Sequence, residues 1–129
     1  MEVHHIGYLV KNMASSVTAF VNLGYSIKQM TMYDADRDID ICFMENGAFM
    51  VELVSPRPDC KFFRSLQKKI GNAPYHICYI TNDFVTDMQA LQNNEYIVIV
   101  PPSKAVAIDN RLVVFMFHEE VGIIELVES

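Results

Sequence analysis

Alternating and helically spaced apolar positions spell the same series of elements twice along the chain. Residues 2–10 and 74–81 are short runs rich in branched and aromatic side chains, the composition of strands. A helix follows each. In the first copy Ser15 or Ser16 can cap it, Val17, Phe20, Val21 and Leu23 face a core, and Gly24 stops it. In the second, Asn82 or Asp83 can cap, and Phe84, Val85, Met88 and Leu91 form the apolar stripe. Three strands come next in each copy, over 25–33, 39–46 and 48–55, then over 95–100, 111–118 and 121–128. Each half therefore reads βαβββ. Glu45-Asn46-Gly47 and His118-Glu119-Glu120 supply the hairpin connections, the first with the stronger turn chemistry.

Residue identities repeat along with the pattern. His5-Ile6-Gly7-Tyr8 matches His76-Ile77-Cys78-Tyr79 at three of four places. At the same offset Val17 meets Met88, Phe20 meets Leu91 and Tyr25 meets Tyr96. Cys42-Phe43-Met44 leading to Val51-Glu52-Leu53-Val54 corresponds to Val114-Phe115-Met116 leading to Ile124-Glu125-Leu126-Val127. A duplication explains all these matches together. The expected organisation is a single domain over 1–129, with module one at 1–55, a linker at 56–73 and module two at 74–129. Pro56, Pro58, Gly71 and Pro74 punctuate the linker, with a short helix from about Lys61 to Ile70. The expected fold class is α+β, two βαβββ modules forming a cupped mixed sheet. Pro101-Pro102 through Asn110 reads as a long loop.

Composition narrows the function. Of 129 residues, 51% are hydrophobic and 20% charged, a globular balance that can bury a core without staples. No apolar run is long enough for a membrane span, and the N-terminus lacks the charge and cleavage features of a signal peptide, so a cytoplasmic protein without a membrane partner is expected. A net charge of −6 and the lack of a Lys/Arg stripe argue against nucleic acid. Three cysteines, with no CxxC pair, read as reduced thiols, Cys42 and Cys78 packed in strands and Cys60 exposed. The acidic stretch Asp34 to Asp40 lacks the glycine and terminal glutamate of a calcium loop and reads as solvated.

The duplication singles out chemistry. His5 and His76 begin equivalent strands; Glu52 and Glu125 sit near the ends of equivalent strands. Any one alone has an ordinary reading: a strand histidine is usually a satisfied core residue, and a glutamate between apolar neighbours usually faces solvent. Glutamate is depleted in strands and seldom fully buried unless paired, so its recurrence at equivalent points favours function. Two modules related by a pseudo-twofold axis would place His5, Glu52, His76 and Glu125 around one divalent ion. Two imidazoles and two carboxylates suit nickel, cobalt, zinc, manganese or ferrous iron, with positions left for substrate. His4 and His118 have no duplicated counterpart and read as surface or turn residues, His4 on the opposite sheet face from His5. Tyr8, Tyr75 and Tyr79 are candidate pocket walls, although strand tyrosines more often pack.

These residues resemble the vicinal oxygen chelate superfamily, which includes glyoxalase I, methylmalonyl-CoA epimerase, ring-cleaving dioxygenases and fosfomycin- and bleomycin-resistance proteins. His4-His5-Ile6-Gly7, Val51-Glu52-Leu53-Val54, Pro74-Tyr75-His76-Ile77-Cys78-Tyr79 and the closing Gly122 to Glu128 carry the resemblance, over the whole chain. It implies paired βαβββ modules around a metal held by His5, Glu52, His76 and Glu125. Within the family, His-Glu-His-Glu looks like bacterial glyoxalase I, which favours nickel or cobalt; epimerases typically carry glutamine in place of Glu52. The linker from Ser55-Pro56 through Phe62-Phe63-Arg64 to Gly71 looks like the epimerase branch. Leu9 and Pro56 stand where glutathione-dependent glyoxalases carry an arginine and an asparagine that hold glutathione. The resemblance thus implies a lyase or isomerase that removes a proton next to a carbonyl, with Glu125 as principal base and Glu52 as its partner. Its substrate would be a 2-oxoaldehyde–thiol adduct or an acyl-CoA, and the assembly a homodimer. A non-catalytic drug-binding module and a ferrous dioxygenase are the competing readings.

Overall fold

The computed structural model describes Met1–Ser129 and divides into two compact units, one of His5–Tyr75, the other of Met1–His4 with His76–Ser129. The elements run β1 (Glu2–Leu9), α1 (Met13–Asn22), β2 (Ser26–Asp34), β3 (Ile39–Asn46), β4 (Phe49–Pro56), α2 (Lys61–Ile70), β5 (Ala73–Thr81), α3 (Phe84–Asn93), β6 (Ile97–Ala105), β7 (Arg111–His118) and β8 (Gly122–Glu128), with a 3-10 turn at Val106–Ile108. This is an α+β fold of two βαβββ modules. In the first the strand order is β2-β3-β4-β1, antiparallel except that β1 runs parallel to β4; in the second it is β6-β7-β8-β5, with β5 parallel to β8.

Strand periodicity sorts side chains onto two faces in each module. In the first, Val10, Cys42, Met44, Val51 and Leu53 form a buried cluster, against which Met13, Val17 and Phe20 of α1 pack. In the second, Phe84, Val114, Met116, Ile124 and Leu126 do the same, with Met88 and Leu91 of α3 packed on them. The opposite face carries the candidate ligands. Register fixes this: Glu52 is the cross-strand neighbour of both Gly7 and Phe43, and Glu125 of both Cys78 and Phe115.

The duplication extends to backbone hydrogen bonds after each helix. Leu23 and Tyr25 both donate to the Phe20 carbonyl, as Asn94 and Tyr96 both donate to that of Leu91. The chain must turn through a left-handed residue there: Gly24 (φ +97°) in the first copy, Glu95 (φ +71°) in the second. A side chain in that region is strained and glycine is not. Glu95→Gly should therefore stabilise the protein by about 0.5–1 kcal/mol, read as a higher urea midpoint; an unchanged or lower midpoint would show that the turn is unstrained.

Several local expectations are corrected. Asn12, and neither Ser15 nor Ser16, caps α1: its side-chain oxygen accepts from the Ser15 N–H at 2.9 Å. Ser15 and Ser16 already lie inside the helix, the Ser16 N–H donating to the Asn12 carbonyl at 3.0 Å. Val21, Leu23 and Val85, expected inside, are exposed, since each helix has only one sheet to pack on. Asp83 caps α3 as expected, accepting from Thr86. Pro101 and Pro102 lie within β6, which continues to Ala105. The prolines fall where the β6–β7 register shifts, on a strand at the end of its module's sheet, where a missing N–H costs no ladder bond.

The acidic stretch, expected to be a solvated loop, is only partly so, because its ends belong to β2 and β3 and its carboxylates are paired. Asp34 is buried and takes the Arg37 guanidinium at 2.8 Å, and Asp40 takes Arg57 through two bonds of 2.8 and 2.9 Å. Asp38 accepts from the Tyr33 hydroxyl and the Asp59 N–H, which together hold its carboxyl below the usual range. Cys60 is half-buried, contrary to expectation, and burial pushes its thiol up; Cys42 is buried with the same shift, and Cys78 is fully buried.

Candidate metal-binding pairs

Each unit brings one histidine and one glutamate together from non-adjacent stretches of chain. In the unit His5–Tyr75, β1 and β4 lie side by side in parallel, so His5 and Glu52, 47 residues apart in sequence, share a face. The His5 Nε2 to Glu52 Oε1 separation is 3.5 Å. In the other unit β5 and β8 repeat the arrangement, and His76 Nε2 stands 3.8 Å from Glu125 Oε1. All four residues are at most 4% exposed.

Burying a carboxylate at this depth costs several kcal/mol unless a cation or a set of donors compensates it, about the stability of half a small domain when counted for more than one group. The distances bear on what compensates. A direct charge-assisted hydrogen bond between imidazole and carboxylate closes to about 2.7–2.9 Å. Donors that share a metal at about 2.1 Å each, at angles of 90–110°, stand about 3.0–3.4 Å apart. Separations of 3.5 and 3.8 Å are too long for a good hydrogen bond and lie within a few tenths of an ångström of a chelate. The donor set of imidazole nitrogen and carboxylate oxygen fits a divalent transition metal.

The remaining sequence candidates separate cleanly. Tyr8 packs edge-on against Phe20 under α1, and Tyr79 belongs to the cluster under α3, so both lie on the helix side of their sheets, away from the His–Glu pairs. Tyr75 packs on Phe63 of the linker helix. They are packing residues and not walls of the face that carries the His–Glu pairs. His118 stacks on Tyr96 and accepts the Glu120 N–H, fixing the β7–β8 turn as anticipated for a turn residue. Leu9 is fully buried and Pro56 is buried, and neither side chain carries a polar atom.

Two residues with no expected role stand beside the His–Glu pairs. Phe43 sets its ring perpendicular to the His5 imidazole, with centroids 5.2 Å apart and an interplanar angle of 83°. Phe115 does the same to His76 at 5.2 Å and 87°. The signal was present as the repeated Phe-Met dipeptide, which reads as ordinary strand packing until the rings are placed.

Comparison with known proteins agrees with this architecture. No curated protein matches the chain in sequence. Among solved structures, a hypothetical protein from Bacillus halodurans superposes with a TM-score of 0.84 at 20% identity, covering 99% of this chain and 94% of its own. Methylmalonyl-CoA epimerase from Mycobacterium tuberculosis gives 0.82 at 17% identity, covering 98% and 87%. A variant of the Streptomyces coelicolor epimerase in complex with 2-nitronate-propionyl-CoA gives 0.82 at 18%, covering 100% and 94%. At these identities the likeness is one of fold. The model of the glyoxalase/bleomycin resistance protein/dioxygenase superfamily matches residues 4–115, a span that holds His5, Glu52 and His76 and leaves Glu125 to the internal duplication. Since that match takes in most of the sequence, the chain belongs to the glyoxalase/bleomycin resistance protein/dioxygenase superfamily.

Proposed function

We propose that the protein is a metal-dependent isomerase or lyase that moves a proton on carbon next to a carbonyl, with His5, Glu52, His76 and Glu125 as the ligands of one divalent ion, nickel or cobalt by preference. The observation that carries the reading is the repeated buried His–Glu pair, at 3.5 and 3.8 Å, on the face of each module opposite α1 or α3. When bound, such an ion would supply Lewis-acid chemistry at the substrate oxygens. Glu125 takes the proton from the carbon, and the electron pair of the broken C–H bond passes into the carbonyl. Glu52, the second carboxylate, or Glu125 itself returns the proton, to the same carbon in an epimerase or to its neighbour in a glyoxalase.

Two substrate classes follow from this one chemistry. The four-ligand set with Glu52 supports a glyoxalase I-like reaction on a 2-oxoaldehyde–thiol adduct. Acyl-CoA epimerisation is supported by the fold likeness to methylmalonyl-CoA epimerases and by the apolar Leu9 and Pro56, which remove the contacts a glutathione carrier would use. A homodimer accompanies the reading, as the family resemblance implies, and is checked by mass in solution.

The test begins with metal analysis of protein purified without chelator or nickel affinity. One ion per chain is expected, with activity lost on chelation and restored by nickel or cobalt. Methylglyoxal–thiol adducts and methylmalonyl-CoA are then offered separately. Metal-free protein that binds a drug without turnover would replace this reading by a sequestering module, and oxygen consumption would replace it by a dioxygenase.

A further inference from the structure

A histidine ligand needs its ring plane fixed as well as its backbone. Rotation about the outer side-chain torsion of histidine is broad and nearly two-fold, so an unbraced imidazole exchanges the places of its nitrogens and carbons. Metal-bound histidines are usually held by a polar partner on the second nitrogen, and the apolar groups around a site tune its solvent access and the strength of its ligands. In each module here a phenyl ring meets the imidazole at right angles, with the same 5.2 Å centroid distance.

The same phenylalanine also borders the carboxylate. Phe43 is the cross-strand partner of Glu52, and Phe115 of Glu125. Both are 4% exposed, so their rings cannot relax into solvent. One residue thus bears on both ligands of its pair, once in each module. Neighbouring cross-strand positions in the duplication are less strict: Gly7 is answered by Cys78 beside the glutamates. Strand packing alone would accept any large apolar side chain at 43 and 115, as it accepts Val51 opposite Met44 in one module and Ile124 opposite Met116 in the other.

We infer that Phe43 and Phe115 are positioning residues for the metal: each holds its imidazole with Nε2 turned toward the glutamate and keeps water from the pair. The inference rests on the metal-binding reading above. Perpendicular ring contacts of this kind contribute enough that losing one should weaken metal binding by roughly threefold to tenfold.

Cobalt(II) titration of the full chain, followed by visible absorption, tests this with Phe43→Leu and Phe115→Leu. Each should bind cobalt roughly threefold to tenfold more weakly and shift the ligand-field bands, because the nitrogen donor is no longer held. Phe20→Leu is the control, since Phe20 makes the same perpendicular contacts to Tyr8 and Tyr25 under α1 and touches no ligand. It should lower the unfolding midpoint and leave cobalt affinity and spectrum unchanged. If the leucine variants do not fold, Phe43→Met and Phe115→Met fill the space with an unbranched chain and carry the same expectation. Wild-type affinity and spectrum in folded ring-less variants would overturn the positioning role and leave the metal reading standing. Wild-type protein that binds no cobalt would overturn the metal reading, and the positioning role with it.

Discussion

Glu125→Gln should lower turnover by about 10²–10⁴-fold, the range for loss of a positioned general base, while the protein stays folded. Glutamine keeps the size and one oxygen of glutamate, so the space beside Phe115 and Cys78 remains filled. It cannot accept a proton at physiological pH. In free-energy terms the loss is about 3–5.5 kcal/mol of barrier, far above what packing changes at one buried position would contribute to the chemical step. The direct readout is exchange of solvent deuterium into the carbon next to the carbonyl, which reports proton removal whether or not product is released. Full exchange in the variant would sink Glu125 as the base. Glu52→Gln is the informative partner: it produces the glutamine-bearing set typical of epimerases. Retained exchange with methylmalonyl-CoA would place the chain in that branch, and loss of activity on a thiol adduct alone would point to the glyoxalase branch.

The fold and the pairing of each histidine with its glutamate were legible because duplication made each weak signal appear twice. A glutamate between Val51 and Leu53 says little, but its recurrence between Ile124 and Leu126, each following a strand histidine by nearly the same interval, predicts that the two share a face. The structure brings His5 to Glu52 and His76 to Glu125 by that route. What stayed illegible depends on three-dimensional competition among similar residues. Asn12, Ser15 and Ser16 are all good caps, and local chemistry alone does not rank Asn12 ahead of the two serines that follow it inside the helix. Pro101 and Pro102 argue for a loop by local chemistry; only the position of β6 at the end of its module's sheet, with its register shifts, makes them tolerable in a strand. Val21, Leu23 and Val85 have core-like side chains and exposed positions because apolar identity does not say where the helix axis will lie. Phe43 and Phe115 lay in a recognised repeat, yet their relation to the imidazoles is a matter of ring planes, which no spacing rule contains.

Leu53→Ala and Leu126→Ala should each destabilise the protein by about 3–5 kcal/mol, the cost of removing a fully buried leucine and leaving a cavity that the surroundings only partly close. Both are 0% exposed and sit at equivalent points of the two clusters, Leu53 under α1 and Leu126 under α3. Against a total stability of about 5–15 kcal/mol, either variant should unfold at a clearly lower urea midpoint. Leu23→Ala, at a site 70% exposed, should move the midpoint by less than about 0.5 kcal/mol. The comparison separates buried from exposed leucines. Leu53 and Leu126 point toward the helices, while the adjacent Glu52 and Glu125 point the other way. Metal affinity measured well below the unfolding midpoint should therefore stay near the wild-type value in both leucine variants. Affinity falling in step with stability would mean instead that the ligand face draws its geometry from the helix-side core, and that the phenyl rings beside the imidazoles are not sufficient to hold it.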